Sequence, residues 1–245
     1  MMSISSSKGF SMKRLTLTIM LLFTIIIACP SLSSATLMYD VNSSYSLTGL
    51  GSFTGSASYS YTDSSNASFT VSLTNTSPAA NEGYITAMAF LLPSTTYQSK
   101  IESIFMSSST SDEFDLLFAS YKKNPLNTSP FQFGFDFGAG IGKSWEGGGK
   151  PGEGIGVGST ETFTFSMTGK GLDLLSLNDF TQQYGGHNVI AALRFKGFEN
   201  GGSDKVLGEL GGGAQVPEPA TLLLFGSGIL GYSLLKRRSG SFLQK

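Results

Sequence analysis

Between residues 53 and 73 the apolar side chains fall on every second position. Phe53, Ala57, Tyr59 and Tyr61 keep one parity; after a polar turn at 62–66, Ala67, Phe69, Val71 and Leu73 keep a parity of their own. A period of two sends alternate side chains to opposite faces of a pleated strand. The pair therefore reads as a β-hairpin with one buried face on each strand. The rhythm returns along the chain. Phe131, Phe133, Phe135 and Phe137 alternate with Gln132, Gly134 and Asp136, and Phe163, Phe165 and Met167 alternate with threonine and serine. Val189, Ala191, Leu193 and Phe195 do the same against Arg194 and Lys196. Residues 84–92 are apolar almost without a break, the pattern of a central strand covered on both faces, and Pro93 ends it.

Only one helix is predicted: Ser176-Leu177-Asn178-Asp179 has the form of a capping box leading into residues 180–184. Many short strands, polar turns and scarce helix predict a mainly β fold, a single β-sandwich or jelly-roll-like domain. No internal repeat is visible, which argues against a solenoid or propeller. Residues 75–82 read as a loop, as do the glycine-rich residues 147–158, and 201–215 reads as a glycine-rich linker.

The two ends have a different character. Lys8, Lys13 and Arg14 precede an apolar run at 15–28, the layout of a secretory signal helix, and Ser33-Ser34-Ala35 supplies the small residues a signal peptidase reads. Cleavage is expected after Ala35, giving a signal peptide at 1–35. A competing reading takes Ile26-Ile27-Ala28-Cys29 as a loose lipobox with Cys29 acylated; Pro30 directly after the cysteine speaks against it.

At the other end, Val216-Pro217-Glu218-Pro219 leads into an uncharged segment at 220–235 and then Lys236-Arg237-Arg238. Sixteen residues make a helix of roughly 24 Å, shorter than the usual span of a bilayer. Lys236, Arg237 and Arg238 extend it by snorkelling to the headgroups. As a membrane stop they also keep this end in the cytoplasm and leave the body outside. Residues 220–235 are thus expected to be a transmembrane helix and 239–245 a cytoplasmic tail.

This three-part ending resembles the PEP-CTERM sorting signal of Gram-negative bacteria. Val216, Pro217, Glu218 and Pro219 stand for the motif, Phe225-Gly226-Ser227-Gly228-Ile229-Leu230-Gly231 for the glycine-bearing helix, and Lys236-Arg237-Arg238 for the basic end. The resemblance covers roughly the last 30 residues, with the sorting tail itself at 216–238. It implies recognition by an exosortase, a membrane protease-transpeptidase, and delivery to the cell surface or the exopolysaccharide matrix of a biofilm. The same tail also goes under the label of an ice-binding-protein C-terminal domain, which implies nothing about ice. The seven residues 239–245 depart from the abrupt ending of that family. Within the body, Leu73-Thr74-Asn75-Thr76-Ser77, the run 84–90, and 187–198 before Gly201-Gly202-Ser203-Asp204-Lys205 resemble secreted PEP-CTERM proteins of unassigned role. That likeness implies no active site.

With both ends set aside, the body spans residues 36–216, one domain's worth of chain, of which 36–200 is expected to be the β domain. It has no cysteine, since the only one is Cys29, so no disulfide holds it together. Seven of the 16 lysines and arginines lie in the two ends, while all of the 17 acids but Glu218 lie between Asp40 and Glu209, leaving a charge of −7 between the signals. An acidic, hydroxyl-rich surface argues against nucleic acid and anionic lipid as partners.

The chemical candidates are few. Gly138-Ala139-Gly140-Ile141-Gly142-Lys143-Ser144 suggests a phosphate loop, but the glycine such a loop needs further upstream is replaced by Phe137. A glycine-rich hairpin loop is the better reading. His187 is the only histidine, too little for a zinc site, and no Gly-x-Ser-x-Gly elbow accompanies it; it reads as structural, at a strand start. Asp112, Glu113 and Asp115 beside the serines at 107–111 suit Ca²⁺, which takes six to eight oxygens, or equally a solvated acidic turn. Trp145, the sole tryptophan, would stack on a sugar ring if exposed, or else sit at the edge of a core. The Asn-x-Ser/Thr triplets at Asn42, Asn66, Asn75 and Asn127 read as turn composition.

The sequence is thus expected to encode a secreted, exosortase-processed surface or matrix protein, structural or adhesive and without catalysis or cofactor. Its partners would be signal peptidase, an exosortase, the inner membrane before processing, and exopolysaccharide. The alternatives are an extracellular carbohydrate- or calcium-binding module using Trp145 or Asp112, Glu113 and Asp115, and, further off, a hydrolase dependent on His187.

Overall fold

The period-two runs fold as strands. In the computed structural model, which describes residues 37–93, 101–118, 131, 134–143, 145–146 and 150–215, β2 (Phe53–Asp63) and β3 (Asn66–Asn75) form the expected hairpin, paired antiparallel from Phe53↔Asn75 to Asp63↔Asn66. Phe53, Ala57 and Tyr59 of one strand and Ala67, Phe69, Val71 and Leu73 of the other are buried, while the residues between them stay partly exposed. The turn at 63–66 is held by Asp63, whose carboxylate accepts from Ser65 N at 2.7 Å and Asn66 Nδ2 at 3.0 Å.

Among the described residues nine further strands join them: β1 (Leu37–Ser46), β4 (Glu82–Phe90), β5 (Ile101–Ser109), β6 (Phe114–Phe118), β7 (Phe137–Ile141), β8 (Thr160–Gly169), β9 (Gln182–Tyr184), β10 (His187–Phe198) and β11 (Ser203–Gln215). They form one sheet in the order β5-β8-β3-β2-β1-β11-β10-β4-β7-β6, with β9 pairing β10 off this path. Every pairing is antiparallel. The mainly β expectation holds, but the two stacked sheets of a sandwich are replaced by one continuous ladder. Register shifts within β1–β11, β4–β10, β10–β11 and β5–β8 let the strands twist more strongly at those points. The sheet curls on itself and nearly closes like a barrel. Its two edges, β5 and β6, are consecutive in the chain and separated only by residues 110–113.

The concave face encloses the main core. Phe69 sits among Phe90, Phe137, Phe165 and Phe180, with ring centroids 5.1, 5.5, 6.4 and 5.4 Å away. The convex face carries a second, smaller cluster over β4, β10 and β11: Ala87, Ala89, Leu117, Phe135, Trp145, Ala192 and Leu207 among others. β4 therefore packs on both sides, and its residues from Ile85 to Phe90 are all buried, as its unbroken apolar run implies.

Three sequence expectations are corrected. The capping box at Ser176 is formed, but the element it starts is one turn of 3-10 helix, Leu177–Phe180, followed by β9 rather than by more helix. Phe180 is drawn into the core against Phe69 and Tyr59, and that anchorage stops the helix early. The phenylalanine alternation at 131–137 is not a strand throughout. Phe135 packs in the outer cluster and Phe137 in the inner one, although they share parity. Asp136 between them turns the chain, donating its N–H to Phe90 O at 2.8 Å and accepting Leu92 N–H at 2.8 Å.

The glycine-rich stretches supply the third correction. Gly138 and Gly140 belong to β7, not to a loop, and 203–215 is β11, not a linker. β11 lies in the middle of the sheet between β1 and β10, so the β domain runs past residue 200 to Gln215. Glycine is there to let neighbours approach. A Cβ on Gly138 would lie 2.0 Å from Met88 O, and one on Gly208 would lie 2.8 Å from Phe53 Cζ. The uncharged span at 220–235 and the signal helix at 1–35 fall outside the described residues; among the described residues no helix is long and apolar enough to cross a membrane.

Gly138→Ala is expected to lower stability by about 1–3 kcal/mol, because the clash is with β4 backbone and cannot be relieved by a rotamer. Gly152→Ala, where the added Cβ meets nothing within 4 Å, is expected to stay within about 0.5 kcal/mol. Urea unfolding midpoints of the two variants check the contrast.

Candidate functional site

The buried polar side chains are few among the described residues: Asn75, Ser77, Thr86, Arg194 and Asp204. Asp204 on β11 is 1% exposed. Its carboxylate accepts from Ser46 Oγ at 2.6 Å, Thr48 N at 3.1 Å, Leu50 N at 3.0 Å and Gly51 N at 2.9 Å. One side chain thus ties down the whole β1–β2 connection. Burial alone would raise its pKa, but the Ser46 hydroxyl and the N–H groups of Gly51 and Thr48 outweigh it and hold the carboxyl below its ordinary value.

Asn75, also fully buried, performs the same service at the end of β3. Its Nδ2 donates to Gly83 O at 3.0 Å and Ile155 O at 2.8 Å, and its Oδ1 accepts Ser77 N at 3.1 Å. The segments around Asn75 and Asp204 are therefore where the chain is stitched together. A buried Asn75 side chain is not a glycan acceptor.

On the convex face a charged cluster crosses β10 and β11. Arg194 and Lys205 are cross-strand partners, and Lys196 lies two residues further along β10. Arg194 Nη1 bonds the Glu146 carboxylate and, at 3.4 Å, Trp145 O. Lys205 Nζ reaches Glu146 Oε1 at 3.0 Å, and Lys196 Nζ donates to Glu146 O at 2.7 Å. Burial holds all three cations below their ordinary pKa values, with the Arg194 charge adding to the effect on both lysines. The alternation along β10 marks Arg194 and Lys196 as sharing a face; nothing local to residues 145–146 marks Glu146 as their partner.

The residues singled out from the sequence fare differently. Trp145 is 4% exposed and packs in the outer cluster, so the sugar-stacking reading is corrected: apolar neighbours on β4, β10 and β11 take the ring into the core. His187 does begin β10; its Nδ1 pairs with Glu209 Oε2 at 2.8 Å on a half-exposed surface. Asp112 and Glu113 are exposed in the β5–β6 turn and Asp115 is half-buried on β6. Hydroxyls there cap backbone, Ser109 Oγ accepting from Ser111 N and Ser111 Oγ from Glu113 N. Among the described residues no group of three or more His, Cys, Asp or Glu side chains is placed to hold a metal ion. The Gly142-Lys143 pair forms the turn after β7. Ser33, Ala35, Val216, Pro217, Glu218, Pro219, Lys236, Arg237 and Arg238 lie outside the described residues.

Residues 215–238 match the family model of the PEP-CTERM protein-sorting motif. The chain carries that motif, a signal for exosortase-dependent export. No curated protein and no solved structure matches this chain.

Two outcomes are expected from the buried groups. The stability supplied by Asp204 is present above the unfolded carboxyl pKa of about 3.9 and is lost as pH falls through the lower folded value. Asp204→Asn should therefore cost about 2–4 kcal/mol at neutral pH, and its deficit against wild type should shrink below about pH 4, read by denaturant unfolding at each pH. Trp145, the sole tryptophan, should emit at short wavelength and resist acrylamide quenching in the native protein. Emission and quenching like those of free tryptophan would contradict the packing described above.

Proposed function

We propose that this chain is a secreted, exosortase-processed component of the cell surface or exopolysaccharide matrix, structural or adhesive in role and without catalysis. The match of residues 215–238 to the sorting motif carries the reading. In this scheme signal peptidase removes residues 1–35, and the apolar span 220–235, with Lys236, Arg237 and Arg238 on the cytoplasmic side, holds a precursor in the inner membrane. An exosortase then reads Val216, Pro217, Glu218 and Pro219 and releases the β domain outward. The domain works there with no cofactor and no nucleic acid, the latter favoured by its charge of −7 between the signals.

Several features support a binding or scaffolding role over a catalytic one. His187 pairs with Glu209, half-exposed on a convex strand surface, and among the described residues no hydroxyl is bonded to its ring. A nucleophile–base pair of the Ser–His kind would need such a bond. The buried carboxylate of Asp204 is committed to backbone N–H groups.

The test is intact mass and cell fractionation in the native host, with and without the Pro217-Glu218-Pro219 motif. The expected wild-type product is secreted or surface-bound and lacks both 1–35 and the tail, while the motif variant accumulates in the membrane with its tail intact. A full-length tail in the membrane in both strains would overturn the sorting reading and leave a plain C-terminal anchor.

A further inference from the structure

Three connections meet beside the buried Asp204 and leave a recess between them. The β1–β2 connection brings Leu50, the short 3-10 turn at Ala79–Asn81 brings Ala80 and Asn81, and the end of β10 with its turn brings Phe198, Glu199 and Asn200. Together they line a cavity of about 70 Å³. Its walls are tied to one another. Asp204 accepts Leu50 N at 3.0 Å, Asn81 O accepts Glu199 N at 3.1 Å, and Asn81 Nδ2 donates to Leu50 O at 3.3 Å. Glu82, next to Asn81, is held at a φ of 54°, a backbone conformation that only glycine adopts without strain. Such strain persists where the surroundings over-determine it, and it gathers at ligand clamps.

The recess offers a mixed set of polar groups beside apolar ones. The Glu199 carboxylate takes no hydrogen bond and no ion pair among the described residues. Asn200 uses its Oδ1 to accept Gly202 N at 2.8 Å, which leaves both of its amide hydrogens free. Asn81 has one amide hydrogen engaged on Leu50 O and keeps its Oδ1. Leu50, Ala80 and Phe198 supply the apolar surface. No lysine or arginine occurs in residues 48–53, 76–84 or 197–204, which build and flank the recess. Most ligand classes leave part of this set unmet. An ammonium would satisfy the acceptors but face the Asn200 amide hydrogens. A carboxylate or phosphate would meet the charge of Glu199, and an apolar group would leave all three polar side chains unpaired. A hydroxyl both donates and accepts, so two neighbouring hydroxyls match a carboxylate beside an amide. The C–H side of the carbons that bear them suits Leu50, Ala80 and Phe198.

We propose that this recess binds the vicinal hydroxyls of an uncharged sugar, with Glu199 and Asn81 accepting from them and Asn200 Nδ2 donating. The cavity admits the edge of one ring and not a chain laid lengthwise, so the unit bound is a terminal one. The site supplies a ligand for the adhesive role proposed above and rests on that role only for its biological use: a failure of export would leave binding by the purified chain untouched.

Ligand-observed NMR titration of the purified full-length chain with the methyl glycosides of mannose, glucose and galactose tests this. At least one should bind saturably, and neither putrescine nor galacturonic acid should displace it. Asn200→Asp, which keeps the acceptor for Gly202 N and replaces the free donor by an acceptor, should weaken binding about tenfold or more. Ala80→Phe, which fills the recess without removing a hydrogen bond, should abolish it. No binding of any of the three glycosides to wild type overturns the proposal. Binding by folded Asn200→Asp equal to wild type overturns the role given to Asn200. If that variant does not fold, unchanged binding by Ala80→Phe overturns the recess as the site. Displacement of the glycoside by putrescine or galacturonic acid at equal concentration overturns the assignment to an uncharged sugar.

Discussion

The ring of Phe69 is the contact on which the rest of this fold leans. Four other phenylalanines surround it, from β4, β7, β8 and the short helix at Leu177–Phe180. They meet at tilted or edge-on angles, between 44° and 87°, the arrangement aromatic quadrupoles favour. With no cysteine outside residues 1–35 to staple the body, a sheet of this breadth needs a dense centre to curl around. The phenylalanines provide that centre with few side-chain torsions to freeze. The strands they come from are far apart in the chain, so the cluster is what draws β3, β4, β7 and β8 onto one concave surface.

Where strands end, polar side chains take over. Asp204 and Asn75 are buried acceptors and donors whose partners are almost all backbone groups of loops. Each replaces water around N–H or C=O groups that the ladder leaves unpaired, and a loop so anchored loses little by being irregular. This explains why short polar wordings such as Asn75-Thr76-Ser77 and Ser203-Asp204-Lys205 carry structural weight.

Legibility from sequence followed the physics of each element. β2, β3, β8 and β10 show a clean period of two because one side of each meets the core and the other meets solvent or a thinner cover. β4 was readable for the opposite reason, both of its sides being covered. β7 and β11 were hidden because glycine in a strand carries no pattern; what requires it is a neighbour's backbone or ring at contact distance, Met88 O for Gly138 and Phe53 for Gly208. The same blindness applied to the charged cluster. Arg194 and Lys205 declare themselves only as outward residues, and their meeting with Glu146 depends on pairings across about 50 residues or more of chain. Trp145 was ambiguous between surface and core until its neighbours were known. The sorting motif was legible because its meaning is linear: a receptor reads it along the chain, not across a fold.

The position of β11 has a mechanical consequence. Its last residue, Gln215, pairs with Leu37 of β1, while on the other side β10 flanks β11 only over residues 203–209. A pull transmitted through Gln215 therefore first opens the stretch beyond Glu209, which is bonded to β1 alone. It then meets residues 203–209, bonded along both edges in the interior of the sheet, where two neighbours are loaded together. A pull on β5 or β6, at the sheet's edges, meets no such second stage.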